Sequence, residues 1–253
     1  MRVLYNTAIL AIELALIAAT AWLAYTSPIV FAAVTAALVV VRGATLEWAR
    51  LNHELPFYVE GRRSRSALVS VAIVALAGLD ALLKAVFAAA VALLTFSGTD
   101  QTRLMVASIL LALVAFFATS MLRRLSLSFR VDPARWGYFR LAVPLGVLYS
   151  LGMQAAVGLG LVEPQSLSEI GRTIVFELPE RPGLNDVAEL LFNVRQALDT
   201  IVFAALRRFL EPGYAAAVAV LVSINILSGM VIAIYAVLIA DIVRRLEARA
   251  ALA

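Results

Sequence analysis

Cysteine is absent from this 253-residue chain, which excludes disulfides, thiolate metal sites and a cysteine nucleophile while leaving the compartment open. Histidine occurs once, at His53. That removes bis-histidine haem ligation and any histidine-rich metal site, and a lone histidine near an interface is read as simply exposed. Charge is scarce too: acids and bases make up 15% of the residues, and Lys84 is the sole lysine among 21 basic side chains. The pI near 9.8 therefore reflects arginine. Those arginines sit beside apolar runs and form no separate basic domain, which argues against a nucleic-acid partner.

What fills the chain is apolar. Hydrophobic residues make up 63% and the mean hydropathy is +0.94, against roughly 45–50% apolar residues in ordinary soluble domains. One compact core cannot hide that much apolar surface, so lipid must solvate part of it. Runs of about 20 apolar residues cross the hydrocarbon core as helices. The sequence predicts an all-α, polytopic transmembrane bundle forming a single membrane domain over 1–253. It has six spans, at 3–25, 29–41 (continuing inward as helix to about 55), 67–96, 104–122, 141–162 and 214–240. Pro28 occupies a natural helix-start position after the tight Thr26-Ser27 turn. Arg2 and Ala19-Thr20-Ala21 mimic a signal peptide, but the apolar run continues to Tyr25 and is interrupted by Glu13, so a retained first span is expected.

Arginine placement sets the orientation. With the N-terminus inside, the inner segments carry Arg2, five bases over 42–65, five over 123–140 and the final Arg244, Arg245 and Arg249. The short outer turns carry only Arg103, and in the long outer segment 163–212 eight acids outnumber five bases. By the positive-inside rule both termini are cytoplasmic, in the cell membrane. No internal repeat or linker is evident, although alanine-rich spans could hide a degenerate inverted repeat.

Polar residues within the spans are the candidate functional groups. Asp80 and Lys84 lie four residues apart on one face of the third span. A charge at the bilayer centre costs at least about 2.5–3.5 kcal/mol, so that face should point into the bundle or a wet cavity. The pair is either a self-neutralising structural ion pair or part of an ion, proton or substrate path. Glu13 in the first span has no base nearby in sequence and needs a partner or a proton; Lys84 across helices is one option. Ser150, Gln154, Ser223, Asn225 and Ser228 are read as glue between helices, and Gly152 with Ala156 and Asn225 with Gly229 as small or polar spacings for close helix contacts.

Two regions flank the bilayer. On the outer side, the turn cluster Pro179-Glu180-Arg181-Pro182-Gly183 precedes Asp186 and Glu189, whose spacing predicts a helix start. Val187, Leu190, Leu191, Val194, Leu198, Ile201, Val202, Ala205 and Phe209 then line one face. Glu189, Asn193, Gln196 and Thr200 mark the polar face of a candidate lid helix over 186–210, expected to lie in the outer interface or to re-enter. A crossing there would instead give seven spans and an outer C-terminus. On the inner side, Leu46 to Leu55 reads as a short amphipathic stretch ended by Pro56. Glu47, Arg50, Arg62, Arg63 and Arg65 form either lipid-phosphate anchors or a candidate docking surface for a cytoplasmic partner.

This arrangement resembles the six-span permease subunits of ABC exporters for polysaccharides, lipids and drugs. Gly43-Ala44-Thr45-Leu46-Glu47 and the helix to Leu55 sit where that family has its coupling helix, and 163–212 sits where it has external helices. The chain departs from the family in lacking a clear amphipathic elbow helix before the first span and in its tight first outer turn. The resemblance implies a non-catalytic transport subunit served by a separate ATPase. The residues alone leave a second reading open, a structural or assembly subunit with no transport path. A voltage-gated channel fits poorly, since the fourth span has no basic ladder and 163–212 has no potassium-type filter. No nucleophile–base pair, metal cluster or phosphate-cradling motif is legible, so neither enzymatic activity nor a cofactor is expected. The expected partners are lipid, other protein subunits and, as one option, further copies of this chain.

Overall fold

The computed structural model describes residues 2–58, 67–97, 100–129, 141–162, 183–211, 214–215, 218 and 224–252. These residues are helical without strands: α1 (Arg2–Thr26), α2 (Pro28–Tyr58), α3 (Ala67–Phe96), α4 (Gln101–Phe129), α5 (Ala142–Gly158), α6 (Leu184–Phe209), a 3-10 turn (Ile224–Leu227) and α7 (Ser228–Leu252). Among the described residues four stretches are long and apolar enough to cross a bilayer: Asn6–Thr26, Pro28–Thr45, Ile73–Phe96 and Gln101–Ser126. At most 44% of any of them is buried inside the molecule. Leu10, Leu14, Val34, Leu79, Leu83, Val86, Leu113 and Phe117 all face outward. Apolar side chains on the outside of helices of this length require a lipid solvent, and the chain is an integral membrane protein.

Polar side chains within these helices fold back on their own backbone. Thr20, Thr95 and Thr119 each donate a hydroxyl hydrogen bond to the carbonyl four residues earlier, at 2.7–2.8 Å, which satisfies the hydroxyl without water. Asp100 caps α4, accepting from the N–H groups of Thr102 and Arg103. The expected fourth span, 104–122, therefore lies inside a longer helix.

The chain divides into two compact units, Met1–Phe31 with Val91–Ala253, and Ala32–Ala90. In the second, Ala32, Thr35 and Val39 on α2 and Ala77, Ala81, Ala85 and Ala88 on α3 are buried. Gly43 of α2 faces Ala81 of α3, where an added Cβ would sit 3.5 Å from the alanine methyl. Small residues at four-residue spacing let the two backbones approach. α2 runs unbroken past Pro56 to Tyr58. The expected stop at Pro56 is thus two residues early; a proline in a final turn costs little, because few helical hydrogen bonds remain to be lost beyond it.

In the first unit α7 is the central element, touching α1, α4 and α5. Every residue from Ser228 to Val237 is buried, as expected of a helix apolar all round at the heart of a bundle. Phe31 stacks on Tyr235 and meets Phe96 edge-on, each pair with centroids 5.3 Å apart. Thr95 and Ser228 share a buried hydrogen bond of 2.9 Å. The closest backbone approach is made by glycine. A Cβ on Gly146 of α5 would collide with the carbonyl of Ile226, and one on Gly229 of α7 with the carbonyl of Ala142 and the backbone of Gly146. Gly152 of α5 faces Leu110 of α4.

Three expectations change here. The fifth span, expected over 141–162, is helical only to Gly158. Gly160 is left-handed at φ 71°, and the N–H groups of Gly160 and Leu161 donate to the carbonyls of Val157 and Ala156, a Schellman stop that only glycine accommodates easily. The first turns of α5 meet the 3-10 turn and the start of α7, and Gly152 faces Leu110 in the first half of α4. The last span, expected as one helix over 214–240, is interrupted by the 3-10 turn and then continues to Leu252. Finally, α6 starts at Leu184, earlier than Asp186: Asp186 is its third residue, and its carboxylate accepts the Gly183 N–H at 2.7 Å. The reciprocal half of a capping box is made by Asp186, so Glu189 is not needed for it.

Candidate functional site

Among the described residues, two clusters of charged side chains lie within the apolar helices, one in each unit. In the second unit, Lys84 Nζ lies 2.5 Å from Asp80 Oδ2 on α3. Helical periodicity brings the two together, and their pairing matches the expected four-residue spacing. Their side chains remain 34% and 40% exposed, Lys84 and Asp80 respectively, at mid-helix and flanked by outward-facing Leu79, Leu82 and Leu83.

In the first unit, Glu13 of α1 is 1% exposed. Its Oε2 lies 3.6 Å from Arg123 Nη1 on α4, and its Oε1 has no hydrogen-bond partner among the described residues. Arg123 is committed elsewhere: its Nε donates to Glu247 Oε1 of α7 at 2.7 Å, and its Nη2 lies 2.5 Å from the same oxygen. One guanidinium thus stands between two carboxylates, turned mainly toward the less buried one. One to two turns before Glu247, buried Asp241 pairs with Arg245 at 2.8 Å and Arg244 at 3.5 Å, both on its own helix.

No family model matches this chain, and no curated protein and no solved structure matches it. The geometry must carry the functional argument alone.

Glu13 stands out in the sequence for lacking a local base, and the base that approaches it is Arg123. Arg123, Glu247 and Asp241 do not stand out, because arginines flanking a span look like topological anchors; only the unpartnered Glu13 signals that one of them turns inward. Other candidates are placed less fully. Glu47 and Arg50 lie on α2, and Glu189, Asn193 and Gln196 on α6, with side chains outside the described residues. Arg62, Arg63 and Arg65 lie wholly outside them. Thr200 is half-buried on α6, while Val194, Leu198, Ile201 and Phe209 of its apolar face are exposed. An unburied apolar face is what a helix lying against lipid presents. The start of α6 also helps line an open cleft of about 450 Å³ with Thr26, Ser27, Pro28 and Ser97. Among the described residues no group of three or more His, Asp or Glu could hold a metal ion.

Proposed function

We propose that this chain is the non-catalytic, membrane-embedded subunit of a transport system in the cell membrane, permease-like and energised by a separate ATPase. The observation that carries the reading is the Asp80–Lys84 pair, mid-way along α3 and more than a third open to its surroundings. Against lipid such groups cost about 2.5–3.5 kcal/mol apiece before pairing. A water-filled path or a covering subunit removes that cost. The second reading, a structural or assembly subunit, draws on the same pair, because an acid four residues ahead of a base neutralises itself with no ligand.

The topology that goes with this proposal has six crossings and both ends in the cytoplasm. Glu13, in the first half of the Asn6–Thr26 stretch, and Glu247 near the end of α7 converge on Arg123, which supports having both ends on one side. α4 and α7 both run toward that cluster, which supports a return across the bilayer between them as a fifth crossing. An amphipathic α6 along the outer interface completes the arrangement.

The natural absence of cysteine makes the test direct. Single cysteines at Leu76 and Phe87, which flank the Asp80–Lys84 face, are challenged in the assembled protein with a membrane-impermeant thiol reagent. Reaction at both positions supports transport. Complete protection, with reaction restored once the complex is dissociated, refutes the transport reading and favours the structural one.

A further inference from the structure

Glu13 lies apart from the Asp80–Lys84 pair, in the other unit, and its surroundings are unusual. It lies seven residues inside the start of the Asn6–Thr26 stretch, about 10 Å into the membrane-crossing part at 1.5 Å per residue. It is almost fully buried, with one carboxylate oxygen unpartnered among the described residues. The nearest cation has two of its nitrogens on another residue and offers only Nη1, at 3.6 Å, beyond ordinary hydrogen-bonding distance. Among the described residues, the ionisable groups that act on it are Arg123 from α4 and, through the same guanidinium, Glu247 from α7. Two carboxylates and one guanidinium leave a surplus negative charge if both acids are ionised, in a place where an uncompensated buried charge is not tolerated.

We propose that Glu13 is a proton-binding site, and that Arg123 passes between Glu247 and Glu13 according to whether the proton is present. In the arrangement seen here Glu13 is the neutral acid and the guanidinium rests on Glu247. When the Glu13 O–H bond breaks, the proton leaves to water reached past the partly exposed Arg123 and Glu247, and both electrons stay on the carboxylate. Arg123 then turns to Glu13, and Glu247 is released into solvent. Arg123 stays cationic and Glu247 anionic throughout. The Arg123–Glu247 bridge ties α4 to the end of α7, so the proton controls whether those two helix ends are clamped together. This holds whether or not the chain transports anything, because it concerns a cluster in the other unit.

The test is infrared difference spectroscopy on the full chain in dodecyl maltoside, a detergent with no carbonyl of its own. At neutral pH the wild type should show the C=O stretch of a protonated carboxylic acid, shifted by D2O and bleached as the pH is raised. Its absence from the wild type overturns the proposal. Glu13→Gln should abolish the band, and a band that survives belongs to another residue, which also overturns it. Glu247→Gln frees Arg123 to pair with Glu13, so the band should disappear at the same neutral pH; persistence refutes the exchange. Arg123→Gln leaves nothing to recruit the anion, so the band should remain.

Discussion

Replacing Gly229 by alanine puts a methyl group where α5 has no room for one. The new Cβ would overlap the Ala142 carbonyl oxygen and the backbone nitrogen and Cα of Gly146. These are backbone atoms of a packed helix and cannot rotate away, so the two helices must separate. Overpacking typically costs about 1–3 kcal/mol, and rigid neighbours place this variant at the upper end. About 3 kcal/mol is roughly 100-fold in the folded-to-unfolded ratio, at about 1.4 kcal/mol per tenfold. Two other glycines calibrate the result. At Gly152 a Cβ meets the tip of the Leu110 side chain at 2.7 Å, which can change rotamer, so Gly152→Ala should cost under about 1.5 kcal/mol. At Gly78 nothing lies within 4 Å, so Gly78→Ala should be neutral or stabilising by up to about 1 kcal/mol through helix propensity. The assay is reversible unfolding in mixed micelles titrated with SDS, followed by circular dichroism. If Gly229→Ala unfolds together with Gly78→Ala, the close packing of α5 on α7 is wrong.

Further outcomes follow from single contacts and can be read in the same assay. Arg123→Gln removes the charge-assisted bonds to Glu247 and should destabilise by about 2 kcal/mol, with a smaller additional loss when Glu247→Gln is combined with it. A double-mutant cycle on Thr95→Val and Ser228→Ala should give a coupling of about 0.6 kcal/mol, the usual size of an interhelical hydrogen bond in a membrane; a coupling near zero would mean that the hydroxyls do not meet. Gly160→Ala forces a Cβ into a left-handed residue and should cost about 1 kcal/mol. Asp186→Ala should speed hydrogen exchange in the first turn of α6, where the Gly183 N–H loses its acceptor.

The helices themselves are legible because a span is a local property. Apolar runs and their turn residues mark α1 to α3 within a few residues, whereas α4 runs seven residues past the expected 122, and the Asp80–Lys84 pair follows from spacing alone. What escapes depends on pairings distant in sequence. Arg123 and Glu247 are 124 residues apart, and nothing in the local pattern distinguishes an arginine that turns inward from one that anchors to headgroups. Gly146 looks like any glycine in an apolar run until Ile226 and Gly229 are set against it. The early end of α5 is in principle readable from Gly158-Leu159-Gly160, but the hydrophobic run continues through Val162 and outweighs the stop signal. For Arg62, Arg63 and Arg65 the docking expectation stands as the sequence leaves it.

The position of α7 also bears on how the protein is made. Chains fold from the N-terminus as they are made, so α1, α4 and α5 exist before the helix that joins them. Until α7 arrives, the surfaces of those helices that will face it must be shielded by lipid or by an insertion factor, and Glu13 waits with them. Synthesis of α7 is then the moment at which the first unit locks, which makes its assembly a single late event and not a stepwise accretion of hairpins.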